Sequence, residues 1–158
     1  MNNEAKRTAL RMFTYGLYAL TVADGAQGHA ATVNWVTQVS FEPTMLAVSV
    51  EKGSKSLRLI RQSRSFAINI FRADQRELAG QLGRKSVNRP DKFQGIAWKA
   101  GLTGSPLLTD ALAAIECRFV SEVDAGDSVV VVAEVVEAAV VAEGKPLTME
   151  ATGFKHAG

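Results

Sequence analysis

The sequence predicts a mainly β fold, a closed or half-closed antiparallel barrel of Greek-key-like connectivity with a few short helices. Three observations predict it. Short apolar segments are separated by tight turns, of which Asp24-Gly25-Ala26-Gln27-Gly28 and Ala125-Gly126-Asp127 are the clearest. Ser128 to Ala142 is a long stretch rich in β-branched residues, which suit a pleated, half-buried surface. The chain has 158 residues, enough for one core and short for two, so a single domain over 1–158 is expected. Five or six strands with short hairpins in one such domain are most simply buried by closing the sheet on itself.

The elements follow in order. Leu10, Phe13, Leu17 and Leu20 fall at helical spacing, which predicts a short helix within 4–20 leading into a strand. Tyr18 to Ala23 reads as that strand, and His29 to Val36 as its partner across the glycine-rich turn. Thr37 to Glu42 leads to Pro43, where a turn is expected, and Met45 to Val50 is a strong apolar strand. Ser54 is an N-cap residue ahead of Leu57 and Ile60, predicting a helix over Ser54–Gln62. Phe66 to Phe71 alternates as a strand, and Gln75 to Leu82 is a second helix stopped by Gly83. Residues 84–95 are polar with Pro and Gly and read as a loop; Leu107 to Leu112 is a short connection. Ala114 to Asp124 and Ser128 to Ala142 form a late hairpin. Gly144-Lys145-Pro146 then turns the chain into a last short segment.

Composition narrows the function classes. Apolar residues make up 47% and charged residues 22%, ordinary for a soluble globular domain. No apolar run approaches the roughly 20 residues that span a bilayer, and the N-terminal residues lack the pattern of a secretory signal. A cytoplasmic protein without a membrane partner is expected. Cys117, the single cysteine, sits in an alternating segment and reads as a buried small apolar residue. His29 and His156 stand 127 positions apart, so no zinc set is expected, and His29 reads as solvated.

The net charge of +2 hides an asymmetry. Residues 1–109 carry 15 Lys and Arg against 7 Asp and Glu, and residues 110–158 carry 3 against 9. Lys52, Lys55, Arg58, Arg61 and Arg64 run without an acid among them. Such a run is a solvated helix face or an anion site. A nucleic-acid backbone is disfavoured because only Phe66 lies close enough to serve as an interleaved aromatic.

Several blocks, taken in order, carry a family resemblance. The run from Gly28 to Val50 contains Thr32-Val-Asn-Trp35 and then Val39-Ser-Phe-Glu-Pro43. It is followed by Ser54-Lys-Ser56, Phe66-Ala-Ile-Asn-Ile70, Asp91-Lys-Phe93, Gly104-Ser-Pro-Leu-Leu108, Ile115-Glu-Cys-Arg118, Gly126-Asp127 and Ala133-Glu-Val135. No block is specific by itself. Their order and spacing over about residues 12–154 resemble the flavin reductase-like, FMN-binding split-barrel family.

The resemblance implies a homodimeric flavoprotein that binds FMN, with FAD as the alternative, and takes electrons from NADH or NADPH. It implies that Thr32, Val33, Asn34 and Trp35 line the flavin ring. Ser40 would lie near the phosphate or ribityl chain, and Glu51 and Lys52 near the ribityl chain or ring edge. Ser54, Lys55 and Ser56 would hold the phosphate, which suits hydroxyls, a cation and free amides at a helix start. Arg84 and Lys85 offer further cations. Asp127, Ser128 and His156 are the candidates on the nicotinamide side. Family reductases commonly carry Asp-His where this chain has Asp127-Ser128, and a hydroxyl supplies neither the ring nor the charge of an imidazole.

The function expected is an NAD(P)H-dependent flavin oxidoreductase that passes electrons to free flavin or another acceptor, a monooxygenase among them. The alternative is a flavin carrier or electron-transfer module without its own catalysis. Four consecutive valines, Val129 to Val132, suggest a strand covered on both faces, one by the barrel interior and one by a partner subunit.

Overall fold

A computed structural model of the chain describes residues 1–85, 88 and 91–157; part of the expected 84–95 loop falls outside the described residues. The elements are α1 (Asn3–Leu10), β1 (Tyr18–Val22), β2 (His29–Val33), β3 (Val36–Phe41), β4 (Thr44–Glu51), α2 (Lys55–Ser63), β5 (Ser65–Ile70), α3 (Arg76–Leu82), β6 (Trp98–Ala100), β7 (Pro106–Leu108), β8 (Ala113–Ala125), β9 (Ser128–Val140) and α4 (Met149–Thr152).

Seven strands form one sheet in the order β2-β1-β5-β8-β9-β4-β3, and every neighbouring pair is antiparallel. The two edges of this sheet, β2 and β3, are consecutive in sequence and joined by Asn34 and Trp35 alone. The sheet therefore curls until its edges meet through a two-residue link, and the barrel stays split along that seam. At the link, the Trp35 carbonyl accepts from the Ser49 amide at 3.0 Å, tying the seam to β4.

Two apolar clusters hold this arrangement. The barrel interior packs Leu20, Val48, Ile68 and Val131 with Leu57 and Ile60 of α2, which plugs one end. A second cluster outside the barrel packs Leu17 and Ala30 with Phe71, Leu82, Leu108 and Leu147 under α3. Ser54 caps α2 as expected, its Oγ accepting from the Leu57 amide at 3.2 Å.

Several boundaries differ from the sequence expectation. Helix α1 stops at Leu10 and buries none of its residues, because Leu17 and Leu20 belong to the barrel. The single strand expected over His29–Val36 is two strands broken at Asn34-Trp35, and the segment leading to Pro43 is β3. The small β6–β7 sheet includes residues expected only as a connection. Along β9 the four valines do alternate in burial: Val129 and Val131 enter the core, and Val130 and Val132 are half-buried outside. Cys117 is fully buried, and burial with the nearby Glu116 charge pushes its thiol pKa up to about 12. No helix is long and apolar enough to cross a membrane among the described residues.

Candidate functional site

A cleft of about 960 Å³ runs along the seam of the barrel. Its walls come from β2 and the seam link, the end of β4 and the start of α2, the β8–β9 hairpin tip, α3 and the C-terminal tail. Thr32, Val33, Asn34, Trp35, Glu51, Lys52, Ser54, Lys55, Ser56, Arg84, Asp127, Ser128 and His156 all line it. Residues up to 124 positions apart in sequence are thus brought to one surface, as the curled sheet requires.

Ser40 is the exception. It pairs with Met45 near the tip of the β3–β4 hairpin and does not line the cleft. Four extended residues separate it from Val36 at the seam, about 13 Å at ~3.3 Å per residue.

The start of α2 opens into the cleft. Gly53 precedes it with φ +75°, and open space surrounds the position a Cβ would take. The Leu57 amide is taken by Ser54 Oγ and the Arg58 amide by the Ser54 carbonyl, and among the described residues the first-turn amides of Lys55 and Ser56 have no partner. Lys55 Nζ is 2.6 Å from Asp24, whose carboxyl it holds below its ordinary pKa. Ser56 is buried, and its Oγ lies 2.9 Å from His29 Nε2.

That contact corrects the reading of His29 as solvated. Its ring is 6% exposed, and burial together with the charges of Lys92 and Lys55 lowers its pKa from 6.5 to about 4. The neutral imidazole fixes Ser56 from beneath the site. Lys92, which the sequence places in a polar loop within the Asp91-Lys-Phe93 block, also joins the site. It is buried, and its Nζ donates to the Ala30 carbonyl at 2.9 Å and the Leu82 carbonyl at 3.3 Å. Nothing in the local sequence signals this, because the carbonyls that receive it belong to β2 and α3.

The side chains of the seam strand hold neighbouring elements in place. Thr32 Oγ1 donates to the Ala79 carbonyl and anchors α3 against β2. Asn34 is buried, and its Nδ2 donates to the His156 carbonyl at 3.1 Å. Trp35 and His156 face each other with ring centroids 5.4 Å apart. The tail therefore returns to the cleft, helped by Arg76, which donates to the Thr152 carbonyl at 2.8 Å and covers the Phe154 ring.

The hairpin tip meets the end of β4 directly: Ser128 pairs with Glu51, and the Lys52 amide donates to the Asp127 carbonyl at 3.0 Å. The basic run is largely matched by acids or aromatics. Lys52 pairs with Asp124, Lys55 with Asp24 and Arg61 with Glu122, while Arg64 stacks 3.9 Å over Phe119. Lys52 and Lys55 alone of that run reach the cleft.

The chain is similar to known proteins. The pattern of the flavin reductase like domain family matches residues 10–158. The high molecular weight rubredoxin of Moorella thermoacetica is 36% identical over 142 residues, covering 89% of this chain and 62% of that protein. The FMN reductase (NADH) of Agrobacterium fabrum is 31% identical over 153 residues, 97% of this chain and 85% of the relative. The crystal structure of a nitrilotriacetate monooxygenase component B homologue from Mycobacterium thermoresistibile superposes with a TM-score of 0.83 at 28% identity. That match covers 92% of this chain and 80% of the other.

Proposed function

The chain belongs to the flavin reductase-like family, and from that membership we propose that it is an NAD(P)H-dependent flavin reductase whose flavin lies in the seam cleft. The observation that carries this reading is the open first turn of α2, with two free amides and Lys55, at one end of a cleft large enough for a flavin. When bound, the flavin supplies a hydride acceptor that passes electrons onward.

The protein's own residues position and select. The Lys55 and Ser56 amides with the Lys55 ammonium take the flavin phosphate, as in FMN; Ser54 and Ser56 keep that turn in shape. Val33, Asn34 and Trp35 lay backbone and ring surface along the seam, with Glu51 and Lys52 at its β4 edge. Arg84 adds positive charge from the end of α3. Asp127, Ser128 and His156 border the side left for the nicotinamide, where Ser128 brings a hydroxyl that donates to Asp127 at 3.0 Å. Electrons then pass to free flavin or to a monooxygenase-type acceptor, in keeping with the relatives' names. NADH and NADPH suit a cytoplasmic setting.

Lys55→Met tests the phosphate site. The substitution leaves the Ser54 cap and the buried Ser56–His29 contact in place. A charge-assisted hydrogen bond contributes about 1.5–3 kcal/mol, so FMN affinity is expected to fall at least ~10-fold while riboflavin, which lacks the phosphate, loses little. Equal losses for the two ligands in equilibrium titrations would assign the segment to the fold instead.

A homodimer is part of the same proposal. Val130 and Val132 are half-buried on the outer face of β9, Val120 and Val123 are exposed on the adjacent β8, and Val39 and Phe41 are exposed on the edge strand β3. Sedimentation at micromolar concentration is expected to give twice the chain mass; a monomer alone would leave those side chains unexplained.

A further inference from the structure

The last segment of the chain lies across the cleft it helps to line. Thr152 at the end of α4 is buried, and Gly153 closes that helix with φ +72° and open space where a Cβ would stand. Residues 154–157 continue without regular structure, and none of them is buried. Among the described residues, no backbone hydrogen bond joins 154–157 to the backbone of another element.

Side chains hold the segment instead. Arg76 donates to the Thr152 carbonyl and sets its guanidinium 5.0 Å from the Phe154 ring centroid. Asn34 donates to the His156 carbonyl, and Arg11 Nε donates to the Ala157 carbonyl at 3.2 Å. The exposed ring of Trp35 carries the His156 ring. Each such bond replaces one to water, so its net contribution is small. This segment is therefore the part of the cleft wall that opens most readily, and Gly153 is the place where it turns.

The contacts divide by position. Arg11 and Arg76 stand outside the cleft, whereas Asn34 and Trp35 line it. Asn34 is buried at the seam link, and among the described residues its side chain makes one hydrogen bond, the one to the tail. A buried amide donor needs a partner. A ligand seated on Trp35 must therefore displace His156 and take over the Asn34 donor. A flavin ring offers both replacements, a flat face for Trp35 and carbonyl oxygens for Asn34.

We propose that residues 153–157 form a strap that closes the seam cleft against its own ligand. Strap and flavin compete for Trp35 and Asn34, and the strap swings about Gly153 before a flavin seats. The proposal rests on the flavin reading of the cleft. It makes the open cleft a fraction of the population, and the apparent affinity is reduced by that fraction.

A chain ending at Gly153 tests this, in equilibrium titration and rapid mixing with FMN and with riboflavin. With the strap open in about one molecule in ten, its loss is expected to lower the Kd of both flavins about tenfold and to raise their association rates by a similar factor. The shortened chain also loses Phe154, which packs on the outer cluster. Should it not fold, Arg11→Gln combined with Arg76→Gln loosens the strap from outside the cleft and is expected to shift both quantities about threefold in the same direction. In a folded variant, a Kd that stays put or rises overturns the strap, since a segment that only lined the site would lose contacts when cut. Wild-type and shortened chains that both bind neither flavin overturn the flavin reading of the cleft, and the strap with it. Binding by the shortened chain alone supports both.

Discussion

Replacing Glu116 with alanine is expected to lower the unfolding free energy by about 3–5 kcal/mol, since breaking a buried, fully bonded charge leaves its partners unsatisfied. The carboxylate is 2% exposed and accepts three hydrogen bonds: from the Leu102 amide at 3.0 Å, the Thr103 amide at 2.8 Å and Thr103 Oγ1 at 2.8 Å. It gathers the turn between β6 and β7. Gly101 passes so close that a Cβ there would overlap the carboxylate, which explains the glycine at this position. The loss should appear as a lower urea midpoint with unchanged slope. An unchanged midpoint would show that the turn is held by its own backbone bonds, such as the Gly101 amide to the Ser105 carbonyl at 3.0 Å.

Stability is expected to fall as pH drops from about 6.5 toward 4, and His29 is the cause. Burial first, then Lys92 and Lys55, hold its pKa at about 4 against 6.5 in the unfolded chain, while Asp24 opposes them. Between these values the unfolded chain takes up a proton that the folded chain refuses. The stabilisation is therefore complete above about pH 6.5 and is lost as pH falls to the folded value. At ~1.4 kcal/mol per pH unit, the full loss is roughly 3 kcal/mol. Urea midpoints measured from pH 7.5 to 4 for the wild type and His29→Gln separate this from the carboxylates. The variant should be flatter over that window. Parallel curves would show that His29 titrates alike in both states.

The fold class was legible because it depends on local signals. The apolar strand near Phe66 to Ile70, the Gly126 turn with φ +74° and the Ser54 cap each depend on a few neighbouring residues, and each is found where expected, although β5 is buried on both faces. Helix α1 is shorter than its sequence spacing predicts for a related reason. Leu17 and Leu20 continue a helical spacing, and only the presence of the barrel shows that they answer to its core.

The candidate site was legible where the family blocks lie. Fourteen of the expected side-chain positions, Lys85 included, do meet along one cleft, and Ser40 does not, since a strand carries it away from the seam. The roles of particular side chains were less accessible. Lys55 looked like a free cation, yet Asp24 holds it from across the β1–β2 turn.

By itself the sequence determined the mainly β, antiparallel class, the central strands and hairpins and the blocks that the cleft collects, because hydrophobic period, turn chemistry and capping are written in neighbouring residues. The tertiary structure decided what is buried and what is charged. It turned His29 from a solvated ring into a neutral support for Ser56, and Lys92 from a loop cation into a buried one at the seam cleft. Burial and pKa depend on atoms packed around a group from distant elements, so they are fixed only when the sheet closes at its seam.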